Sequence, residues 1–203
     1  GTLLSFPVAT NALKKFQDAA SGYGSFPVMA RGTTTVRQLP LFVSIKKNIH
    51  PSLTAEALRV HTGIDRYALS FHKPLPWLPA TTWLNTTKVA IGSLNIATDA
   101  ATRFWPYFRW DNPFQHISAW KILAGKIGEK RIRNKLILVG SSASGLSSRV
   151  TTPLGQSVPG IAIQAQAIES ILGKAFLTRE GWADLAEIII SLMLALLLIR
   201  FLP

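Results

Sequence analysis

Short apolar runs separated by amphipathic stretches fill most of the chain, the pattern of an α/β or α+β domain. Residues 2–8 predict a strand ended by Pro7 and the polar Thr10-Asn11. Residues 11–20 place Leu13, Phe16 and Ala20 on one helical face. Residues 36–45 predict a strand, with Leu39, Leu41, Val43 and Ile45 sharing a side by the two-residue period. Ser52, just after Pro51, predicts the cap of a helix over 53–61. Its hydroxyl oxygen can accept from the free N–H groups of the first turn, and Gly63 closes the other end. Residues 67–71, 89–96 and 103–110 predict strands, with Asp99 in the turn between the last two, and 118–123 predicts a short helix.

The clearest unit comes late. Residues 135–140, Lys-Leu-Ile-Leu-Val-Gly, predict a strand buried on both faces. A small-residue loop from Ser141 to Ser148 and Thr151-Thr152-Pro153 follow, and after Pro159-Gly160 comes a helix over 161–172 stopped by Gly173. Ile161, Ala165, Ile168 and Leu172 are expected on its buried face. Such a loop lies at the carboxyl edge of a sheet, where α/β proteins bind ligands. Residues 185–199 are then almost continuously aliphatic, broken only by Glu187 and Ser191. A helix apolar on every side must be buried in lipid or in a large core. With Trp182 before the run and Arg200 after it, residues 182–203 predict a transmembrane helix. The acidic residues at its start and Arg200 at its end place residues 1–180 outside the cytoplasm. The fold expected is therefore α/β, a mixed sheet flanked by helices and followed by a C-terminal transmembrane helix.

Composition narrows the classes. The chain has 203 residues, 48% of them hydrophobic and only 16% charged, which excludes a disordered tail. It has no cysteine, which removes disulfide scaffolds, cysteine-ligated zinc, thiol catalysis and iron–sulfur clusters. The net charge of +12 points to a basic surface, densest over 126–135. That run contains no aromatic residue, so it lacks the stacking platforms of a nucleic-acid groove, and no nucleic-acid partner is expected. It reads as a solvated loop before a strand. The aromatic stretch over 104–110 reads as core plus cover rather than as a stacking surface.

The loop after Val139 fails three enzyme templates, each at a residue the chemistry requires. A phosphate loop needs Lys where Leu146 stands. A dinucleotide loop needs Gly where Ser142 stands. A nucleophile elbow needs Gly where Ser144 stands. A serine hydrolase of another fold would use Ser142 with His50, His61, His72 or His116. The histidines have no close metal-binding spacing, no acidic pair suggests a general acid and base, and neither metal nor cofactor is expected. Arg37 and Arg103 remain as partners for an anion, because guanidinium presents a planar fork to carboxylate or phosphate. Either could equally form a structural ion pair.

These blocks, in this order, resemble the second type of CHASE domain, a sensory module outside the membrane in bacterial cyclases and histidine kinases. The similarity is carried by Val36-Arg37-Gln38-Leu39-Pro40-Leu41, Pro51-Ser52-Leu53, Glu56-Ala57-Leu58-Arg59, Thr98-Asp99 and Phe114-Gln115-His116-Ile117-Ser118-Ala119. It continues in Ile122-Leu123-Ala124-Gly125, and is strongest over 136–143 with Gly145-Leu146, Thr152-Pro153 and Pro159-Gly160. The chain departs from the pattern at Thr33, Thr34 and Thr35, at Ser148 where Asp is frequent, and at Gln164 where His is frequent. It also lacks the family's earlier membrane helix and opening strands, so it reads as a fragment.

The resemblance implies a periplasmic or extracellular sensor over 1–180, anchored in the inner (cell) membrane through 182–203 and passing a signal to a cytoplasmic output domain, a cyclase or kinase. It implies no enzyme activity in this chain, an unidentified small-molecule or protein ligand, and a homodimer. An envelope interaction scaffold is the alternative reading. The candidate ligand residues are Arg37, Arg103, Ser141, Ser142, Thr152 and Gln164, grouped around the loop 141–152.

Overall fold

The structure is a computed structural model that describes residues 3–27, 35–71, 87–99, 101–112, 115–142, 149–178 and 182–201. It is a mixed α/β arrangement of short sheets and helices. The strands are β1 (Ser5–Phe6), β2 (Leu39–Pro40), β3 (Phe42–Ile45), β4 (Asn48–Pro51), β5 (Tyr67–Phe71), β6 (Thr87–Ile91), β7 (Leu94–Thr98), β8 (Arg103–Pro106), β9 (Arg149–Thr151), β10 (Ser157–Pro159) and β11 (Phe176–Leu177). The helices are α1 (Lys14–Ala19), α2 (Leu53–Thr62), α3 (Ala119–Leu123), α4 (Gly160–Leu172) and α5 (Trp182–Phe201), with a 3₁₀ turn at Glu129–Arg131. The expected mixed sheet is divided among four small sheets, ordered β1-β3-β4, β5-β6-β7, β11-β8-β2 and β10-β9. Only β1 and β3 run parallel among the paired strands described.

Local sequence decides α2. The Ser52 hydroxyl accepts from the Ala55 N–H at 3.3 Å, and Gly63 takes the left-handed conformation at φ 67°. A side chain without Cβ meets no steric cost there. The predicted strand over 36–45 is interrupted at Leu41. The Leu41 N–H donates to the Thr102 carbonyl, while the Leu41 carbonyl accepts from Ser52 N–H. The chain thereby leaves β8 and begins pairing with β4. The predicted strand over 89–96 is a hairpin instead: Gly92 at φ 60° and Ser93 turn the chain, and Ile91 pairs with Leu94. Two-residue turns of this kind need the positive φ that Gly supplies.

One hydrophobic core joins these pieces. Phe104, Leu41, Leu58, Val89, Ile91, Ile96, Ile163, Ala167, Ile168 and Ile171 are buried in it, drawn from strands, α2 and α4. The face α4 buries differs from the one expected. Ile163, Ala167, Ile168 and Ile171 point inward, with Gln164 and Ser170 beside them, whereas Leu172 is exposed and Ile161 and Ala165 are half-buried. α4 packs against α2, β7, β8 and β10, so its buried surface is wider than a single stripe and is rotated from it.

One further expectation needs correction. Residues 135–140 are not a strand, because no strand lies beside them among the described residues. Leu136 and Leu138 pack against the core, while Ile137 is 51% and Val139 84% exposed. The apolar run is therefore covered on one face only. The transmembrane helix expected over 182–203 is not shown: among the described residues, no helix is long and apolar enough to cross a membrane.

Candidate functional site

The head of α4 lies against the start of the predicted ligand loop. Gly140 lies so close to this helix that a Cβ there would come within 2.9 Å of the Ile161 Cβ. Ser141 and Ser142, the next two residues of the chain, are exposed. The cap residue Pro159 gives the turn no side-chain acceptor. Its N–H groups, at the positive end of the helix, are thus left to the loop, to solvent or to a ligand. The hairpin of β9 and β10 leads into the helix. Arg149 lies across it, its Nε donating to the Ser157 hydroxyl at 3.2 Å and a terminal nitrogen to the Ser157 carbonyl. Residues 143–148 of the predicted loop lie outside the described residues.

Thr152 and Gln164 are buried, each for a different purpose. Gln164 Oε1 accepts from the Thr54 hydroxyl, a buried polar contact that ties α4 to α2. Thr152 is 1% exposed, and its Oγ1 has no hydrogen-bond partner among the described residues. Its backbone is fully used, N–H to the Gln156 carbonyl at 2.8 Å and carbonyl from the Gly155 N–H at 3.0 Å. A buried hydroxyl without a partner costs on the order of 1–3 kcal/mol. Thr152→Val keeps the shape and removes that cost, so it is expected to stabilise the chain by about 1 kcal/mol, raising Tm by about 2–4 °C. A thermal melt checks this; a lower Tm means that the hydroxyl has a partner in the folded protein.

The two arginines part company. Arg37 is exposed and has no partner among the described residues. It is brought near Thr152 through the Val36 N–H, which donates to the Thr151 carbonyl at 2.8 Å. Arg103 is engaged in a tight turn. Its guanidinium meets Asp99 Oδ2 at 2.6 and 2.7 Å, while Asp99 Oδ1 accepts from the N–H groups of Ala101 and Arg103. Gln164 thus lies in α4 and Thr152 in the hairpin before it, Arg37 follows a residue bonded to that hairpin, Ser141 and Ser142 follow the glycine that touches α4, and Arg103 is committed to a structural ion pair.

A cluster that the sequence reading did not assign lies on α2. Glu56 is buried and accepts from Arg59 Nε at 3.0 Å and a terminal nitrogen at 2.8 Å, and also from the Tyr67 hydroxyl. Arg59 further donates to the carbonyls of Ile64 at 2.9 Å and Ser21 at 3.1 Å. Burial pushes the Glu56 carboxyl up, but the bonds from Arg59 and Tyr67 outweigh it and hold the group below the usual carboxylate range. Burial first, and then the bond to Glu56, raise the Tyr67 phenol. The Tyr67 ring also meets Phe42 edge-on at 5.0 Å. Gly22 lies against this cluster: a Cβ there would fall 1.9 Å from Glu56 Oε1, so the carboxylate would have to shift. The signal available in sequence was Glu and Arg three residues apart on one predicted helix.

The hydrolase alternative finds no geometry among the described residues. Among the described residues Ser142 makes no hydrogen bond to a histidine, and His116 instead meets Asp111 at 2.9 Å. His72 lies outside the described residues. No group of three or more His, Asp or Glu that could hold a metal ion occurs among the described residues. The basic run does gain one aromatic neighbour that its sequence lacks: the Lys126 ammonium sits 4.9 Å from the Trp120 ring centre.

Comparison with known proteins gives one match. A family model described as the CHASE2 domain matches residues 6–199. No curated protein and no solved structure matches the chain.

Proposed function

The chain belongs to the CHASE2 domain family, and from that premise we propose that it is the extracytoplasmic sensor of a membrane-bound bacterial receptor that relays its state to a cytoplasmic cyclase or kinase. CHASE2 domains are extracellular sensory domains of signalling receptors, and nothing in this chain indicates an enzyme activity of its own. The ligand, a small molecule or a protein, meets the surface around Ser141, Ser142 and Arg37, and the receptor works as a homodimer.

The observation that carries this reading is the placement of α4. Its first turn touches the exposed loop at Gly140, and its last turn runs through Gly173 into β11 and then α5. A ligand that favours one of two positions of α4 shifts their populations, and the short connection to α5 leaves little slack to absorb the shift. α5 is then the route onward, seated in the membrane. What supports that seat is its surface: the large apolar side chains from Ile188 to Ile199 are 47–76% exposed, with no protein layer over them among the described residues.

Lengthening the connection tests the coupling. A flexible Gly-Ser insertion after Thr178 in the full-length receptor is expected to leave basal output intact and abolish its regulation. Regulation that survives the insertion defeats the relay through α4.

A further inference from the structure

β11 is a strand of two residues. It pairs with β8 over two residues only, Phe176 opposite Pro106 and Leu177 opposite Trp105. Pro106 has no N–H to give to that ladder. The next donor along the chain, the Tyr107 N–H, does not reach β11 but donates to the Ser170 hydroxyl oxygen at 3.0 Å. The same hydroxyl donates to the Ala175 carbonyl at 2.6 Å, and the Ala175 N–H returns to the Ser170 carbonyl at 2.8 Å. Ser170 is buried, so water does not compete for these bonds. The turn between them is tight: Lys174 takes φ 51°, a conformation that side chains other than Gly seldom adopt.

We propose that Ser170 is a positioning residue that clasps three elements, the end of β8, the last turn of α4 and the exit strand β11, so that they move as one body. Only four residues of sequence separate Leu177 from Trp182 at the start of α5. What the clasp holds is therefore the root of α5. Its meaning for signalling rests on the sensory reading above, whereas the clasp itself is measured on the chain alone, so the two can fail separately. The other bonds between 107–111 and the α4 region do not replace it. The Arg109 N–H meets Gln166 Oε1 at 3.4 Å on the exposed side, and the Asp111 N–H goes to Gln156 outside the helix.

Amide hydrogen exchange on the chain in phospholipid nanodiscs tests the proposal. Ser170→Ala is expected to speed exchange of the amides in 104–108 and 174–178 by at least about tenfold, with α2 and β6 changed by less than about twofold. Unchanged exchange at 174–178, or an equal acceleration everywhere, overturns it. The unmodified chain supplies a second measurement should the variant fail to fold. There the amides of Tyr107 and Ala175 are expected to open together, with protection agreeing within about threefold, and a difference above about tenfold overturns the clasp.

Discussion

Glu56→Gln is expected to lower the folding stability by about 3 kcal/mol at neutral pH, which is the usual cost of breaking a buried ion pair from one side. The glutamine amide has nearly the carboxylate's shape, so the loss comes from charge rather than from a cavity. Arg59 remains charged and still fixed on the carbonyls of Ile64 and Ser21. It would then face a neutral group. The Tyr67 hydroxyl loses an ionised acceptor at the same time. Because Gly22, α2 and β5 all meet at this carboxylate, the effect should spread beyond α2.

The sign of the pH dependence separates this from a packing loss. A carboxylate held below its ordinary value contributes stability that is complete above the unfolded value and is lost as pH falls through the folded one. The gap between the native chain and Glu56→Gln should therefore be widest near neutrality and shrink in acid. Tyr67 acts at the other extreme. A raised phenol contributes stability below its ordinary value near 10 that disappears as pH climbs through the folded one. Urea unfolding at about pH 3, 5 and 7 reads the first effect directly. A gap that stays constant over that range would show that the ion pair contributes nothing of its own.

The parts of the fold that were legible are those whose signals are local. Ser52 and Gly63 fix both ends of α2 within the helix's own sequence, and Tyr67–Phe71 is bounded and patterned as a strand should be. Where a partner decides, sequence falls short. The run over 89–96 hides its Gly92 turn because apolar residues continue on both sides. The run over 135–140 has the composition of a doubly covered strand, yet its coverage depends on a neighbour that no local pattern specifies. The α4 face was misread for the same reason, since four elements press on it and no single stripe describes their sum.

The candidate site divides in the same way. The loop before α4 was visible from its small residues, and of the two roles open to Arg103, anion partner or structural ion pair, the structure shows the second. The burial of Thr152 was not legible, because threonine sits as readily on a surface as inside. Tyr67 joins Glu56 across eleven residues, and only the packing of β5 on the core makes them neighbours. Ser170 is least legible of all: a serine in the last turn of a helix carries no sign that its hydroxyl serves two other segments.

The largest effect is expected at α5, for the proposed seat in lipid. Leu192→Arg combined with Leu194→Arg places two charges near mid-helix, about 200° apart around it. No rotation of the helix then keeps both out of the hydrocarbon. Each exchange of leucine for arginine at the centre costs about 3 kcal/mol or more on an insertion scale, so the pair costs about 6 kcal/mol, on the order of a 10⁴-fold loss of membrane partition. In water, by contrast, the double change should favour the chain. The native helix leaves ten large aliphatic side chains between Ile188 and Ile199 exposed, each worth about 1–2 kcal/mol if buried. Flotation with phospholipid vesicles separates the two environments. The native chain should rise with the vesicles and the doubly substituted chain should stay in the aqueous layer, its α2 and core unaltered by circular dichroism. If both float equally, or if the native chain stays below, α5 is covered by protein rather than lipid and the route from α4 to the membrane has to be abandoned.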